Sequence, residues 1–342
     1  MVLSENELMA VAVRLAAESG EAVPIALHRL HYGRNNRAFK VVMADGPPRF
    51  LKSYFSHPLD TRQRLASEWA FLKYAWEQGV RTIAKPIAAD WETQTALYSF
   101  LGGSHLKAGE VSLAHVSAAA DFIIAVNSPP RKLESLSAGS EACFSLSQHI
   151  ATIDRRVRRL GGGNVDTPHH HRVDKFARKT LLPVWGAVRT SIERCALRFG
   201  LELEQELSQG ERIASPSDFG FHNTLIDDAG RLAFIDFEYA GRDDPAKLVC
   251  DFFCQPQVPV SLDYYEHFLS ELGRAFECNT NFELRCRLLL NAYRVKWACI
   301  ILNEFQSVGA EQRAFASGEL TAQRCKMQLR KAEAKLAEVT TD

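Results

Sequence analysis

Residues 4–19 open on Ser4, with Glu7 three positions later and Leu8, Val11, Val13 and Leu15 behind it. A serine with a glutamate at that spacing closes a capping box, so the segment predicts a short amphipathic helix that ends by Pro24. From Ile25 to Asp45 two strand-like runs, IALHRLH and RAFKVVMA, flank the polar stretch Gly33-Arg34-Asn35-Asn36. The turn Asp45-Gly46-Pro47-Pro48 then leads into a third run, FLKSYF. Lys52 lies in its middle, in a run that is otherwise mostly apolar, and a lysine so placed needs a partner. Over residues 60–79 the period changes: Leu65, Trp69, Leu72 and Trp76 recur at spacings of four, three and four, an apolar helical stripe with Glu68 beside it. Ile83 to Ala89 and Thr95 to Leu101 read as two more strands, and Gly102-Gly103 as a hinge.

Beyond Gly103 the pattern is helical apart from one central hairpin. Helices are expected over Val111–Asn127, 146–160, within 173–208, Ala246–Phe253, and at about 261–277, 282–305 and 311–337. Ser128-Pro129-Pro130 and Gly161-Gly162-Gly163 punctuate them. His169, His170 and His171 fall among Pro and Lys residues that suggest a loop; three consecutive residues cannot all face one ion, so no metal site is read there.

The interruption runs from Ser215 to Glu238, SPSDFGFHNTLIDDAGRLAFIDFE. Thr224-Leu225-Ile226 and Leu232-Ala233-Phe234-Ile235 are short apolar strands, turned by Asp227 to Gly230. Asp218, Asn223 five residues on, and Asp236 and Glu238 at the end of the second strand are brought to one end by the fold of that hairpin. One carboxylate to orient a hydroxyl, with an amide and a second carboxylate to hold a hard cation, is the set that phosphoryl transfer uses. Asp and Asn are also ordinary turn formers, so the order of the segment carries more than its composition.

That order, SPSDFGFHN followed by FIDFE, resembles the catalytic segment of the aminoglycoside phosphotransferase and choline kinase family, relatives of the protein kinases. The resemblance implies an α+β, two-lobed protein-kinase-like fold: an antiparallel-sheet N-lobe over residues 1–101 that binds nucleotide, and a mostly helical C-lobe over 102–342. It implies Asp218 as the catalytic residue and Asn223 and Asp236 as Mg²⁺ ligands; Glu238 stands where protein kinases keep glycine, and Pro216 replaces the family's usual histidine. It also implies that the loop with Gly33 and Asn36 covers the triphosphate, that Lys52 reaches the phosphates while paired with Glu68, and that the backbones of Ser99 and Leu101 meet adenine. Asp251 resembles the acidic residue that braces the loop. His222 is either a substrate contact or a packed loop histidine.

Composition narrows the partners. Forty-one basic and 41 acidic residues leave no net charge, so nothing favours nucleic acid or a membrane surface. The eight cysteines show no C-x-x-C spacing, and no signal peptide or membrane-spanning run is visible, which reads as a cytoplasmic protein with free thiols. The expected activity is ATP- and Mg²⁺-dependent phosphorylation of a small-molecule hydroxyl: a sugar, an amino alcohol or an aminoglycoside-like acceptor. A nucleotide-binding pseudokinase is the alternative, and the chain is expected to be a monomer or a homodimer. Asp243, Asp244, Glu266, Arg242, Lys247, Arg294 and Lys296 are expected to wall the acceptor, a mixture that suits a neutral or modestly cationic molecule.

Overall fold

The structure is a computed structural model that describes residues 3–30, 36–57, 60–129, 131–160, 168–276, 280–305 and 322–340. Helix α1 (Glu5–Glu18) begins where the capping box puts it: Ser4 Oγ accepts from the Glu7 amide, and the Glu7 carboxylate accepts from the Ser4 amide at 2.7 Å. Its buried face, Leu8, Val11, Ala12, Leu15 and Ala16, lies on one side of a five-stranded antiparallel sheet. The strands are β1 (Pro24–Leu30), β2 (Arg37–Met43), β3 (Arg49–Ser53), β4 (Pro86–Asp90) and β5 (Thr95–Ser99), in spatial order β1-β2-β3-β5-β4. Alternation decides which side chains face α1: Phe39, Val41 and Met43 do, from every second position of β2.

Helix α2 (Arg64–Glu77) covers the other face. Leu65 and Leu72 of the predicted stripe are fully buried, whereas Trp69 and Trp76 are half-buried at its edges. Glu68 is buried with them. The core under α2 continues without a break into the helical lobe through Phe71, which stacks on Phe237 at 4.8 Å, and Phe237, which meets Phe122 at 6.2 Å. Each such ring contributes about 1.5–3 kcal/mol by leaving water.

The helical lobe contains α3 (Leu113–Val126), α4 (Leu146–Leu160), α5 (Pro168–Phe176), α6 (Leu182–Arg198), α7 (Pro245–Cys254), α8 (Tyr265–Ala275), α9 (Thr280–Ile301) and α10 (Ala322–Ala337). The central hairpin forms as β8 (Thr224–Ile226) and β9 (Leu232–Phe234), but it is not the sole strand structure in this lobe. A strand at the hinge, β6 (Ser104–His105), adds to β8, and β7 (Ile213–Ser215) pairs with β10 (Gly241–Asp243). Gly103 lets β6 approach: its φ is +133°, and a Cβ there would lie 2.7 Å from the Ile226 carbonyl oxygen. The histidine triplet lies in helix α5 rather than in a loop, because Pro168 opens that helix at a position where proline is tolerated.

Among the described residues no helix is long and apolar enough to cross a membrane. Cys143, Cys195, Cys250, Cys254, Cys286, Cys299 and Cys325 are free thiols; Cys278 lies outside the described residues.

Candidate active site

The loop that carries Asp218 is fixed from both ends. On its entry side β7 is fully buried and pairs with β10, Ser215 opposite Gly241 and Ile213 opposite Asp243. Ser217 then takes φ +67°, a conformation uncommon outside glycine, and three contacts hold it. Its amide donates to Ser215 Oγ at 3.1 Å, its hydroxyl donates to the Ser140 carbonyl at 3.4 Å, and it accepts from Lys247 Nζ at 2.9 Å. On the exit side a single turn of 3₁₀ helix, Phe221–Asn223, folds back on the loop. The Asn223 side-chain amide donates to the Asp218 carbonyl at 3.0 Å, and His222 Nε2 lies 3.2 Å from Asp218 Oδ1.

Polar and aromatic residues alternate here, and the aromatic ones anchor the loop. Phe219 stacks on Phe252 at 5.3 Å and Phe122 at 5.9 Å, and Phe221 meets Phe252 edge-on at 5.4 Å. Asp218 is left about a third exposed at the surface of this cluster. Burial pushes its carboxyl up, but His222, Lys296 and Lys247 outweigh that and hold it below the usual carboxylate range, so it stays ionised.

Asp236 arrives from the other strand of the hairpin. The Ile235 amide donates to the Asn223 carbonyl at 3.0 Å, which sets Asn223 and Asp236 side by side, and Asp236 takes φ +67°. Its carboxylate accepts from Lys52 Nζ at 2.6 Å. Lys52, centred in the sheet opposite Ala38 and Ala96, donates at the same 2.6 Å to Glu68 of α2. Glu68 also accepts from Tyr54 Oη at 2.8 Å and from the Phe237 amide at 3.4 Å. Two carboxylates therefore share one ammonium. Against the penalty of burial, Asp236 and Glu68 hold the Lys52 pKa well above its ordinary value, while burial and the nearby Asp236 charge push the Glu68 carboxyl up.

Glu238 is buried at the seam between sheet and helices. It accepts from the Asn36 side-chain amide and lies 3.6 Å from Arg64 Nε; Asn36 Oδ1 accepts from the Phe55 amide at 3.0 Å. Asn36 is thereby tied to the D-F-E segment, and Gly33 lies outside the described residues. Ser99 closes β5 with its amide donated to the Lys85 carbonyl at 2.9 Å and its hydroxyl accepting from the Lys85 amide at 2.8 Å. Both are committed within the sheet, and Leu101 follows just past the strand.

The expected acceptor wall is largely a buried charge network instead. Lys247 is 2% exposed and donates to Asp243 Oδ2 at 2.6 Å, while Asp251 accepts from Lys296 at 2.8 and 2.9 Å and from Trp297 Nε1 at 2.9 Å. Asp244 caps α7 and pairs with His149 at 2.9 Å and with Arg285. Arg294 is buried beside Asn291, and Glu266 pairs with Arg287 at the surface. The buried cluster of Lys247, Asp243, Asp251 and Lys296 lies under the loop that carries Asp218, whereas Asp244 and Arg285 border a separate cavity with Phe276 and Phe282. Asp251 does brace the loop, through Lys247, whose Nζ lies 3.8 Å from it and contacts Ser217.

Chains of similar fold have been solved. The structure of spectinomycin phosphotransferase in complex with ADP and spectinomycin superposes with a TM-score of 0.64 at 10% identity, covering 98% of this chain and 99% of that one. Choline kinase LicA from Streptococcus pneumoniae gives 0.60 at 14% identity, with 98% and 99% covered. Plasmodium vivax ethanolamine kinase gives 0.60 at 12% identity, with 91% and 81% covered. No curated protein matches this chain in sequence. The model of the APH phosphotransferase enzyme family matches residues 27–275, most of the chain, with Lys52, Glu68, Asp218, Asn223, Asp236 and Glu238 inside the match, and the chain belongs to that family.

Proposed function

We propose that the chain transfers the γ-phosphoryl group of Mg·ATP to a hydroxyl of a small molecule. The observation that carries this reading is the pair of carboxylates, Glu68 and Asp236, each 2.6 Å from the one Lys52 ammonium, with Asn223 and Asp218 on the adjoining loop. Such a site has negative charge to spare and oxygen ligands of the kind a hard divalent cation takes. Asp236 and Asn223 would hold Mg²⁺, which when bound neutralises charge on the transferring phosphoryl group. Lys52, fixed by Glu68, would orient the phosphates, and Asp218, kept ionised, would accept a hydrogen bond from the acceptor hydroxyl and align it.

Nucleotide as donor is supported by the solved relatives of this fold that carry AMP or ADP. The names of solved relatives of this fold span choline, ethanolamine and spectinomycin, all alcohols, which supports an alcohol as the acceptor. We place the nucleotide lobe at residues 1–101 and the acceptor side after the Gly102-Gly103 hinge, and the free thiols suit a reducing cytoplasm. Mg·ATP with a panel of choline, ethanolamine, glucose and spectinomycin tests the proposal. Acceptor-dependent ADP release supports it; Mg·ATP binding with no release on any alcohol favours a pseudokinase.

A further inference from the structure

The Asp218 carboxylate needs a donor to fix its rotamer, and the loop offers few. Pro216 has none, and the Ser217 hydroxyl is committed to Lys247 and the Ser140 carbonyl. Among the described residues the side chain that meets the carboxylate is His222, whose Nε2 stands 3.2 Å from Oδ1. The imidazole is 8% exposed while the Asp218 side chain is 32% exposed, so a buried ring meets a carboxylate that still reaches the surface.

Two further features argue against simple packing. His222 Nδ1 is buried without a hydrogen-bond partner among the described residues, and an orphan ring nitrogen is something an apolar side chain of the same shape would avoid. The chain also makes room for the ring. A Cβ on Gly220 would lie 2.9 Å from His222 Nδ1, 3.1 Å from Cε1 and 3.0 Å from Gln255 Cγ, although the Gly220 backbone is extended and places no demand for glycine. A side chain there would displace the imidazole or the Gln255 side chain.

We propose that His222 is a positioning residue for phosphoryl transfer: its Nε2 fixes Asp218 Oδ1 so that Oδ2 meets the acceptor hydroxyl. This rests on the function proposed above. The effect is expected in kcat, because Asp218 aligns the acceptor, and not in the binding of Mg·ATP, which Lys52 and Asp236 govern.

The test uses the full chain with Mg·ATP and the most active alcohol of the panel, comparing His222→Phe, His222→Gln, Gly220→Ala and Asp218→Asn. His222→Phe and Gly220→Ala are expected to lower kcat by about 10- to 100-fold, the range for a misplaced reacting group, with KM for Mg·ATP within about twofold. His222→Gln, which keeps a donor, is expected to recover about tenfold over His222→Phe. Wild-type kcat in His222→Phe, no rescue by Gln, or a parallel rise in KM for Mg·ATP overturns the positioning role. If Asp218→Asn also turns over at the wild-type rate, the failure lies in the catalytic assignment itself and not in His222. A crystal structure of Gly220→Ala checks the geometry without turnover: a changed Asp218 rotamer supports the proposal, and an unchanged one beside a displaced ring overturns it.

Discussion

Replacing Lys247 by methionine removes a charge from the network beneath the loop that carries Asp218 while keeping most of its volume. Lys247 is 2% exposed, and its ammonium lies 2.6 Å from Asp243 and 3.8 Å from Asp251. Asp251 keeps Lys296 and Trp297, so the loss falls on Asp243, whose remaining partners are the amides of Cys143 at 3.0 Å and Asp244 at 2.9 Å. Leaving one member of a buried ion pair uncompensated costs about 3–5 kcal/mol. Burial already raises the Asp243 carboxyl above its ordinary value, with Lys247 opposing, so Lys247→Met raises it further. A carboxyl raised in the folded state favours folding only while protonated, so its contribution is lost as pH rises through the folded value. The deficit of Lys247→Met against wild type should therefore grow by up to about 1.4 kcal/mol per pH unit between the already raised Asp243 value of wild type and the higher value of the variant, and stay constant above it. Urea unfolding at pH 5, 6, 7 and 8, followed by tryptophan fluorescence, measures it. The double variant Asp243→Asn, Lys247→Met should regain most of the stability while kcat stays low, because Ser217 at φ +67° has still lost its lysine. A pH-independent deficit, or an Asn that adds to the loss, would refute the reasoning.

Three other outcomes are expected. Asp236→Ala should impair the Mg²⁺ dependence of the rate more than Asn223→Ala, since a carboxylate holds a hard cation better than an amide; wild-type Mg²⁺ titrations of both would remove the metal assignment. Burial opposes the charge on His149, but Cys143 and Asp244 raise its pKa to about 9, so its stabilisation is complete below its unfolded value and fades as pH rises through 9. The loss should amount to about 3 kcal/mol, and a urea midpoint that stays flat from pH 6.5 to 9.5 in wild type, relative to His149→Gln, would contradict it. Gly241→Ala would set a Cβ 2.5 Å from the Gly139 nitrogen and the Ser137 oxygen, both backbone, and should cost about 1–3 kcal/mol or more; an unchanged melting temperature would show that β10 moves freely.

The parts of this molecule that chemistry writes into adjacent residues were legible in the sequence. Ser4 and Glu7, the Lys52 that needed a partner, Glu68 beside its stripe, and the order of Asp218, Asn223 and Asp236 are local signals, and the hairpin between the last two could be read from its turn. The strands β6, β7 and β10 were not, since two or three residues show no period. Asp243, Lys247 and Lys296 were taken for cleft charges because charged side chains are usually exposed. A signal did exist. Helix α7 is buried on every face, with Leu248, Val249, Cys250, Phe252 and Phe253 around its lysine and aspartate, and a helix apolar all round must pair any charge it carries. The Tyr54 hydroxyl on Glu68 and the Asn36 amide on Glu238 join residues 14 and 202 positions apart in pairings that only the folded chain displays.

The claim that Asp218 serves transfer to an alcohol meets its most direct test in one paired measurement. Wild type and Asp218→Asn are each given γ-labelled Mg·ATP, first without acceptor to measure binding and then with the best alcohol to count phosphorylated product. The account predicts equal Mg·ATP affinity and a kcat lowered by about two to four decades in the variant, as for the loss of a group that orients or deprotonates the acceptor. Equal product from both proteins, or none from wild type on any alcohol despite tight Mg·ATP binding, would contradict it.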